Sequence, residues 1–526
     1  MSDAPLTELV HRYQPASTLQ CPTFFDDSHW SPTIDGVTYF RELAALLDRV
    51  GPGDAVYIAG LQADPDLDLA GYRAGDSRHR PFTDVLAEKA AEGADVRVLL
   101  SGAEYSDGIP WLPVGPFRAN IDAARRMRAW QPATRPAAEP PLADRVLIDW
   151  SGSLLGTNHQ KMVLFRHGDE LTVFLGGLDL ALTRYDADPH DRLRLGQYRW
   201  GWHDAAVRLH GPAAQQVWEI YRTRWHLAAA LPRRWLSVPG VGFTYLNPEA
   251  RPRTLPPAPV QKPRVSAGIA IQVLRSYSPW KIRAHHLLHR RHQAPISRPE
   301  THEVYEALTT AIQAAERYIY LEDQYFYEVP GGNLRFALYA GLRAAAKRGV
   351  KVILVGSGRR DPADGGRSII RPVITRDLRY RVLAPLPAAA RRNVVMHRIQ
   401  DLTVHTKLML ADDVFACIGS ANFFSRSMVG TDSELSCSVV TTGTAVRDLR
   451  VALWAEHLRT PVSEGLAPAL ADLDVALGIW RAEWLPVTVA PDTWRTPGSP
   501  AGFAPRERVL VPARSSRRPA RRSGSL

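Results

Sequence analysis

Two stretches of the chain carry one pattern: His159-Gln160-Lys161-Met162-Val163-Leu164-Phe165 and His405-Thr406-Lys407-Leu408-Met409-Leu410-Ala411. In each, a His-x-Lys triplet precedes an apolar run that predicts a buried β-strand. A second apolar strand follows and ends in a turn of small residues, at 176–179 in the first half and at 419–422 in the second. Because the whole pattern occurs twice, it indicates a duplicated structural unit.

The repeated triplet also predicts a chemistry. Alternate residues of an extended chain lie on one face, so the His and the Lys of each triplet point the same way. Two such units brought together would place two imidazoles and two ammonium groups at one spot. That set suits a phosphodiester: the cations hold the anionic oxygens, one imidazole attacks phosphorus and the other protonates the leaving oxygen.

Other elements repeat in the same order, with a strand, a helix that ends at a glycine, and another strand ahead of each triplet. The repeated ranges are 55–60, 84–93 and 94–100 in the first half, and 318–321, 341–349 and 350–355 in the second. The sequence therefore predicts an α/β fold of two similar lobes related by a pseudo-twofold axis. Each lobe is expected to be a mixed β-sheet flanked by helices, with the active site at the lobe interface.

Composition sets the predicted boundaries. A chain of 526 residues is longer than one hydrophobic core of ordinary size can organise, so two or more folding units are expected. The first lobe is expected over 1–246, a proline-rich linker over 247–264, the second lobe over 265–490, and a basic disordered tail over 491–526. Two motifs in one chain remove the need for a dimer, so we expect a monomer.

The net charge of +11 predicts attraction to anionic partners, either membrane surfaces or nucleic acid. No apolar run approaches the ~18–20 residues that span a bilayer, and the N-terminus lacks the pattern of a signal peptide. We therefore expect a cytoplasmic protein, with peripheral attachment to membranes through the basic tail left open. Cys21, Cys417 and Cys437 are expected to be buried free thiols.

The duplicated motif resembles that of the phospholipase D superfamily, His-x-Lys-x4-Asp twice per active site. The second copy is complete, with Asp412 at the acidic position and Gly419 in the following turn. The first copy departs from the pattern, because Arg166 stands where the family has its Asp. The resemblance treats that Asp as structural rather than chemical, so activity need not be lost, and Asp169 or Glu170 is expected to supply a nearby carboxylate.

The resemblance implies a role for each site residue. His159 is the nucleophile and His405 the general acid and later the base, which predicts a bell-shaped pH–rate profile. The other expected catalytic residues are the motif lysines and two histidine-orienting acids: Lys161, Lys407, Asp204 and Glu434. The expected phosphate-binding residues are Gly177, Ser420, Asn422 and Gln324, and the expected structural motif acids are Asp412 and Asp179.

The resemblance also implies that the reaction needs neither a metal nor a cofactor. A second histidine pattern has a spacing that can bind zinc, because His285, His289 and His292 would share one helix face. Three neighbouring arginines make capture of a cation unfavourable there, so we expect no metal. The expected partners are a phospholipid substrate and an anionic membrane surface; nucleic acid is less favoured, and no obligate protein partner is implied.

Together these features predict a phospholipase D-like phosphodiesterase that hydrolyses or transphosphatidylates a phospholipid headgroup ester through a phosphohistidine. Three alternatives stay open at this stage: a nuclease or other phosphodiesterase with the same site, a phosphatidyl-transferring lipid synthase, and an inactive protein that binds anionic surfaces. The sequence does not decide the headgroup, nor whether water or an alcohol is the acceptor.

Overall fold

A computed structural model describes the following residues: 5–18, 20–102, 116–133, 139–149, 151, 156–190, 201–230, 247–277, 301–326, 338–357, 379–399, 402–458, 466–481 and 507–510. The helices are α1 Leu6–Tyr13, α2 Gly36–Asp48, α3 Phe82–Ala91, α4 Pro116–Ala129, α5 Pro212–Ala230, α6 Glu303–Ala314, α7 Leu338–Arg348, α8 Ala388–Arg391, α9 Ser425–Met428, α10 Ala445–His457, α11 Leu466–Ala471 and α12 Leu473–Arg481. Short 3₁₀ and π turns cover Leu182–Arg184 and Arg379–Leu383.

The strands form two large sheets and one small one. They are β1 Thr23–Phe25, β2 His29–Ile34, β3 Ala55–Gly60, β4 Asp95–Ser101, β5 Val146–Asp149, β6 Met162–His167, β7 Glu170–Gly176, β8 Gly201–His203, β9 Ala205–His210, β10 Ile269–Tyr277, β11 Thr301–His302, β12 Tyr318–Asp323, β13 Lys351–Ser357, β14 Val394–Ile399, β15 Leu402–Val404, β16 Lys407–Ala411, β17 Phe415–Gly419, β18 Glu434–Thr441 and β19 Glu507–Leu510.

The first large sheet has the order β2-β9-β7-β6-β3-β4-β5. Its centre, β3, is buried along its whole length, as expected of an unbroken apolar strand covered on both faces. β3 pairs in parallel with β4 and antiparallel with β6, so the sheet is mixed.

The second large sheet repeats that order. Its central strands run β10-β18-β17-β16-β12-β13-β14, with the same parallel and antiparallel pairings at β12. The predicted duplication of a mixed α/β unit is therefore confirmed. The strand register shows which positions are equivalent in the two sheets. In the first sheet Ala55 pairs with Arg166. In the second sheet Ile319 pairs with Ala411, so Tyr318, the counterpart of Ala55, stands opposite the position that follows Ala411.

The core is layered. One apolar cluster lies between the two sheets and contains residues of α5 and α10 together with the inner faces of both sheets. A second cluster joins α2, α3 and α4 to the outer face of the first sheet. A third joins α1, α6 and α7 to the outer face of the second sheet. Because both sheets contribute to one buried cluster, the lobes are held together by continuous apolar packing.

Two backbone pairings cross between the lobes close to the motif histidines. β8 of the first half pairs in parallel with β15 of the second, and Val404 lies opposite His203. Asn158 forms an isolated parallel bridge with Ser433. These pairings fix the relative position of the two lobes where the motifs begin.

Several segments differ from the predicted boundaries. β1 lies within the range predicted for the first lobe but pairs with β10 of the second sheet, and α1 contributes Leu9 and Tyr13 to the core of that sheet. Glu507–Leu510, placed by the sequence in a disordered tail, forms a strand beside β14. The rest of the tail lies outside the described residues. Among the described helices, none combines the length and apolar character that a bilayer crossing requires.

Candidate active site

Each motif histidine is paired with a carboxylate from the opposite lobe. Nδ1 of His159 lies 2.9 Å from Oε2 of Glu434, and Nδ1 of His405 lies 2.7 Å from Oδ2 of Asp204. Both carboxylates are fully buried. Asp204 and Glu434 were predicted to orient the histidines, and the geometry adds that the pairing is crossed, so neither half contains a complete His–acid pair.

Both motif histidines lie just ahead of their strands: the first triplet ends before β6, and in the second triplet only Lys407 falls within β16. The backbone N–H of His159 donates to the carbonyl of Ser433 at 3.0 Å, and that of His405 donates to the carbonyl of His203 at 2.8 Å. Each histidine is therefore anchored through its main chain to the lobe that supplies its carboxylate. These bonds fix the main chain of each histidine, and the carboxylates fix the orientation of the rings.

The carboxylates also determine the tautomers. A carboxylate accepts a hydrogen bond, so Nδ1 of each imidazole carries a proton and Nε2 can react. Burial lowers the pKa of His405 well below its ordinary value, and the nearby charges of Lys407, Arg184 and Lys161 lower it further. His405 is therefore neutral in the ligand-free site.

Glu434 is fixed by two serine hydroxyls in addition to His159. Ser420 Oγ donates to Oε2 and Ser427 Oγ donates to Oε1, each at 2.6 Å. Ser420 Oγ also accepts from the backbone N–H of Leu435 at 3.0 Å. Because its one hydroxyl proton goes to Glu434, Ser420 positions that acid in this structure, and its predicted contact with phosphate would require that bond to break.

Asp204 is held by its own surroundings in the first lobe. Its Oδ1 accepts from the N–H of Ala205 at 2.9 Å, and its Oδ2 accepts from Trp202 Nε1 at 3.4 Å. Burial raises the pKa of Asp204, and the charge of Lys407 opposes that rise. A Cβ at Gly177 would overlap the Asp204 carboxylate, so this glycine, predicted to line the phosphate turn, is required for the acid to fit.

The two motif lysines are buried and fold back on their own triplets. Lys161 Nζ donates to the carbonyl of His159 at 2.9 Å, and Lys407 Nζ donates to the carbonyl of His405. Burial lowers the pKa of Lys407 to about 8, and the carboxylates of Asp204 and Asp323 oppose that shift. The charge of Lys161 acts on both Lys407 and His405, so the predicted convergence of the four motif side chains is present.

A carboxylate accompanies each lysine, but from a different structural position in each lobe. Asp179, in the turn after β7, lies 3.7 Å from Lys161 Nζ and accepts from the N–H groups of Leu61 and Gln62. In the second lobe the corresponding turn residue is Asn422, and the acid is Asp323 at the end of β12. Asp179 thus has the predicted structural role and also faces a motif lysine.

Asp323 was not among the predicted site residues. Its oxygens accept from the N–H groups of Tyr325 and Phe423 at 2.7 Å each. Burial raises its pKa to about 8, and Lys407 opposes the rise. Oδ1 of Asn422 is buried and has no hydrogen-bond partner among the described residues, so the carboxamide retains capacity for a ligand. Gln324, half-buried beside Asp323, lies at the same strand end.

Arg184 is a third cation of the site and was also missed as a site residue. Its guanidinium lies 3.7 Å from Asp179 Oδ2, and its Cζ lies 4.0 Å from the ring centroid of Trp202. The Trp202 ring in turn lies 4.8 Å from that of His405. The Arg184-Tyr185-Asp186 sequence was the signal that could have identified this residue.

Arg166 lies at the far end of β6 from the triplet. Its guanidinium donates to the carbonyls of Gly53 and Gly168, each at 2.8 Å. Asp54 accepts from the N–H of Gly168 at 3.0 Å, so the carboxylate at this corner comes from the residue before β3. The expectation that Asp169 or Glu170 would supply it is wrong, since Glu170 forms an ion pair with Arg264 instead.

Asp412 has the structural role predicted for it. Its carboxylate accepts from the N–H groups of Glu316, Arg317 and Tyr318 at 2.7–2.9 Å and from Tyr13 Oη at 2.7 Å. It therefore fixes the start of β12 and the position of α1. The histidines at 285–292, which were not expected to bind a metal, lie outside the described residues. A separate buried group of histidines and carboxylates includes His203, next to Asp204.

Comparison with known protein families agrees with this geometry. A family model described as phospholipase D matches residues 192–329, which include Asp204 and Asp323. A family model described as cardiolipin synthase, PLD-like domain, matches residues 308–452, which include the complete second motif. The first match runs from the first half into the second, and the two matches overlap at residues 308–329, in the second lobe.

Curated relatives share low identity with the chain. It is 24% identical over 497 residues to phospholipase D alpha 4 of Arabidopsis thaliana, covering 76% of this chain and 61% of that protein. It is 26% identical over 317 residues to phospholipase D1 of Homo sapiens, covering 53% of this chain and 27% of that protein. The chain thus spans less than two thirds of the length of either relative.

Solved structures show more distant likenesses. Phosphatidylserine synthase of Haemophilus influenzae Rd KW20 gives a TM-score of 0.43 at 12% identity, covering 79% of this chain and 83% of that chain. The phospholipase D family member NUC of Salmonella typhimurium gives a TM-score of 0.23 at 17% identity, covering 34% of this chain and 89% of that chain. Neither bears on substrate or activity.

Proposed function

Because the chain belongs to the phospholipase D superfamily, we propose that it cleaves the headgroup phosphodiester of a phospholipid through a phosphohistidine intermediate. The observation that carries the proposal is the crossed pairing of two buried His–carboxylate couples beside three buried cations. Two imidazoles with defined tautomers are what a double-displacement reaction at phosphorus requires.

In the first step, Nε2 of His159 attacks phosphorus while its Nδ1 proton stays with Glu434. The bond between phosphorus and the headgroup oxygen breaks, and His405 gives that oxygen a proton. The product is a phosphatidyl group on His159 and a free headgroup alcohol. Glu434 stabilises the positive charge that develops on His159, as the acid of a His-containing triad does.

In the second step, His405 removes a proton from water, and the oxygen of that water attacks phosphorus. The bond between phosphorus and His159 breaks, which leaves phosphatidic acid, neutral His159 and protonated His405. His405 releases that proton to solvent when the anionic product leaves. An alcohol can replace water and then yields a phosphatidyl alcohol. We assign attack to His159 by analogy with the family.

The non-bridging oxygens gain charge in both steps, so fixed donors around them lower both barriers. Lys161, Lys407 and Arg184 supply positive charge, and Asn422 supplies an amide. The buried carboxylate of Asp179 lies 3.7 Å from both Lys161 Nζ and the Arg184 guanidinium, so it offsets part of the positive charge of the ligand-free site. A phosphodiester that enters the site would then replace part of this neutralising charge.

His405 needs a proton to act as the first acid, yet it is neutral in the free site. The anionic phosphate of the substrate raises the pKa of His405, because a negative charge within a few ångströms favours the protonated imidazole. The acid is thus formed when substrate binds. His405 is therefore protonated when a leaving oxygen is present to receive the proton, and it stays neutral in the empty site.

The test is choline release from phosphatidylcholine vesicles, without and with a few per cent ethanol. Wild-type protein is expected to release choline in both cases and to form phosphatidylethanol when ethanol is present. His405→Ala should abolish both products. Plasmid and single-stranded DNA, offered in parallel, report on the nuclease alternative.

A folded wild-type protein that releases no choline, ethanolamine, serine or glycerol headgroup would overturn the proposal. Phosphatidylethanol formation shows that an alcohol can accept the phosphatidyl group. Direct attack by ethanol gives the same product, so the covalent intermediate is tested by detecting the phosphohistidine itself. DNA cleavage without lipid cleavage would move the assignment to a nuclease. Retention of activity in His405→Ala would remove His405 from the mechanism.

A further inference from the structure

A buried cluster of histidines and carboxylates joins the two lobes behind the catalytic pair, and the proposed reaction uses none of its side chains. Its inner members are Asp35, His190, His203 and Glu456. One donor atom from each of these four side chains lies within 4.8 Å of the other three. Asp35, His190 and His203 come from the first half of the chain and Glu456 from α10.

The spacing of these donor atoms suits a tetrahedral metal. His203 Nδ1 lies 2.7 Å from Glu456 Oε1 and 3.0 Å from Asp35 Oδ1. His190 Nε2 lies 3.0 Å from the same Glu456 oxygen and 3.6 Å from Asp35 Oδ2. Zinc bonds of about 2.0–2.1 Å place tetrahedral ligand atoms about 3.3 Å apart, in the middle of this range.

The orientation of His203 points to an ion between the carboxylates. The ring is fully buried, and its Nδ1 makes no hydrogen bond with any described residue despite two oxygens within 3.0 Å. The nitrogen is aimed between the oxygens and not at either of them. Without a metal, a protonated Nδ1 would leave its N–H group buried without a hydrogen bond, which is unfavourable in free energy.

The other nitrogen of each imidazole is held by an outer carboxylate. His203 Nε2 lies 3.1 Å from Glu322 Oε2, and His190 Nδ1 lies 3.3 Å from Asp186 Oδ2. Histidines that bind metals characteristically donate their second N–H to a carboxylate, which fixes the ring and the tautomer. Glu322 is further held by Thr406 Oγ1 at 2.8 Å and His457 Nε2 at 2.7 Å.

Charge balance and backbone geometry agree with a divalent ion. Two carboxylates and two neutral imidazoles around a dication have no net charge, which lowers the cost of burial. Asp35 and His190 both have positive φ, 64° and 59°, which is uncommon for residues other than glycine. The fold maintains two strained residues to direct these side chains inward.

We propose that Asp35, His190, His203 and Glu456 bind one structural Zn²⁺ ion that ties the lobes together. The imidazole donors select zinc over Mg²⁺ or Ca²⁺, which prefer oxygen ligands. The ion would also steady the catalytic acid, because His203 precedes Asp204 and Asp35 Oδ1 accepts the N–H of Asp204 at 3.3 Å. Zinc takes no part in the chemistry at phosphorus, and the proposal does not depend on the substrate.

The test is the metal content of untagged full-length protein from zinc-supplemented cells, by inductively coupled plasma mass spectrometry. Wild-type protein is expected to contain about one zinc per chain, as a closed four-ligand site does. Glu456→Gln, which removes one ligand charge at nearly constant shape, should lose at least nine tenths of it. His457→Gln is the matched control: it removes a buried histidine of the same network that touches Glu322 but no donor atom of the site.

The outcomes separate a metal site from an ion-pair network. Zinc retained in His457→Gln and lost in Glu456→Gln supports the proposal. If Glu456→Gln does not fold, wild-type protein is stripped with chelator and titrated with Co²⁺. One equivalent should restore the melting temperature and give the visible absorption of a tetrahedral cobalt site. Wild-type protein that contains less than a tenth of an equivalent and takes up neither Zn²⁺ nor Co²⁺ would overturn it.

Discussion

Glu434 Oε2 lies 2.9 Å from Nδ1 of His159, although the two residues are 275 positions apart and belong to different lobes. Asp204 and His405 form the reciprocal pair. Each lobe therefore supplies the nucleophile or acid for one pair and the orienting carboxylate for the other. The site exists only when the lobes are docked, which explains why a large apolar core lies between the two sheets.

Replacing Glu434 by Gln tests the crossed pairing. The amide cannot stabilise an imidazolium, so headgroup release should fall about 10²- to 10⁴-fold, as for other histidine-orienting acids. Asp432→Asn is the control, because Asp432 also reaches across the lobes, to Thr157, but contacts neither histidine. It should lose less than about tenfold, since it weakens the ion pair with Arg426 and the contacts with Thr157 but removes no catalytic group. Equal losses in both variants would contradict the assigned role.

The pH dependence should report the protonation of Lys407. Its pKa is lowered to about 8, so the ammonium is present below that pH and lost above it. Groups that act on it include Asp204, Asp323, Lys161 and Glu434. The rate should therefore fall above about pH 8 as a cation that holds the phosphate disappears.

Lys407→Arg identifies the source of this alkaline limb. Arginine stays charged throughout, so the midpoint should move up by at least about one pH unit even if its geometry slows the reaction. Initial rates from pH 5 to pH 10 on one vesicle preparation provide the measurement. An unchanged midpoint would assign the limb to another group.

His405 should change protonation when an anion binds. In the free protein its pKa lies well below the ordinary value because of burial and neighbouring cations, so the ring is neutral at pH 7. Saturating inorganic phosphate should convert it to the imidazolium form. The ¹⁵N signals of labelled histidine, assigned with His405→Gln, report the change. An imidazolium already present at pH 7 without anion would show that substrate is not needed to form the acid.

Restoring the family residue at position 166 should not raise activity. Arg166 lies at the far end of β6, and Asp54 already supplies the carboxylate at that corner. Arg166→Asp loses two hydrogen bonds and adds a like charge, which should lower stability by about 1–2 kcal/mol with turnover within about twofold. Thermal unfolding and choline release check both values. A tenfold gain in turnover would mean that the first motif is impaired by Arg166.

Asp412→Ala is the corresponding change in the second lobe. This carboxylate accepts three backbone N–H groups and Tyr13 Oη, so several bonds are lost together. The free energy of unfolding should fall by about 1–3 kcal/mol more than in Arg166→Ala, because four donors, two of them in partly buried bonds, lose their acceptor together. Equal unfolding temperatures would contradict the structural role of Asp412.

The sequence was sufficient to predict the duplicated sheet, because apolar strands and glycine-ended helices are local signals. It also identified both histidines, both lysines and both acids. The sequence did not indicate that each histidine pairs with the acid of the opposite lobe, since each acid could equally orient the histidine of its own half. Asp323 was missed because the second lobe has Asn422 where the first has Asp179. The acid beside the second motif lysine therefore comes from the end of another strand.

The buried histidine–carboxylate cluster shows the same limit. Asp35, His190, His203 and Glu456 come from four separate segments, with no spacing that resembles a metal-binding motif. The pairing of β2 with β9 places Asp35 beside His203, and the packing of α10 adds Glu456 from the second half. The sequence instead directed attention to the histidines at 285–292, where the spacing is regular.

The most direct test of the central claim is detection of the covalent intermediate. Wild-type protein mixed with phosphatidylcholine is stopped at alkaline pH, where phosphohistidine survives, and its peptides are sequenced by mass spectrometry. A phosphatidyl or phosphoryl group on His159, absent from His159→Asn, is the predicted result. Steady choline release with no adduct on either His159 or His405 under single-turnover conditions would contradict the account.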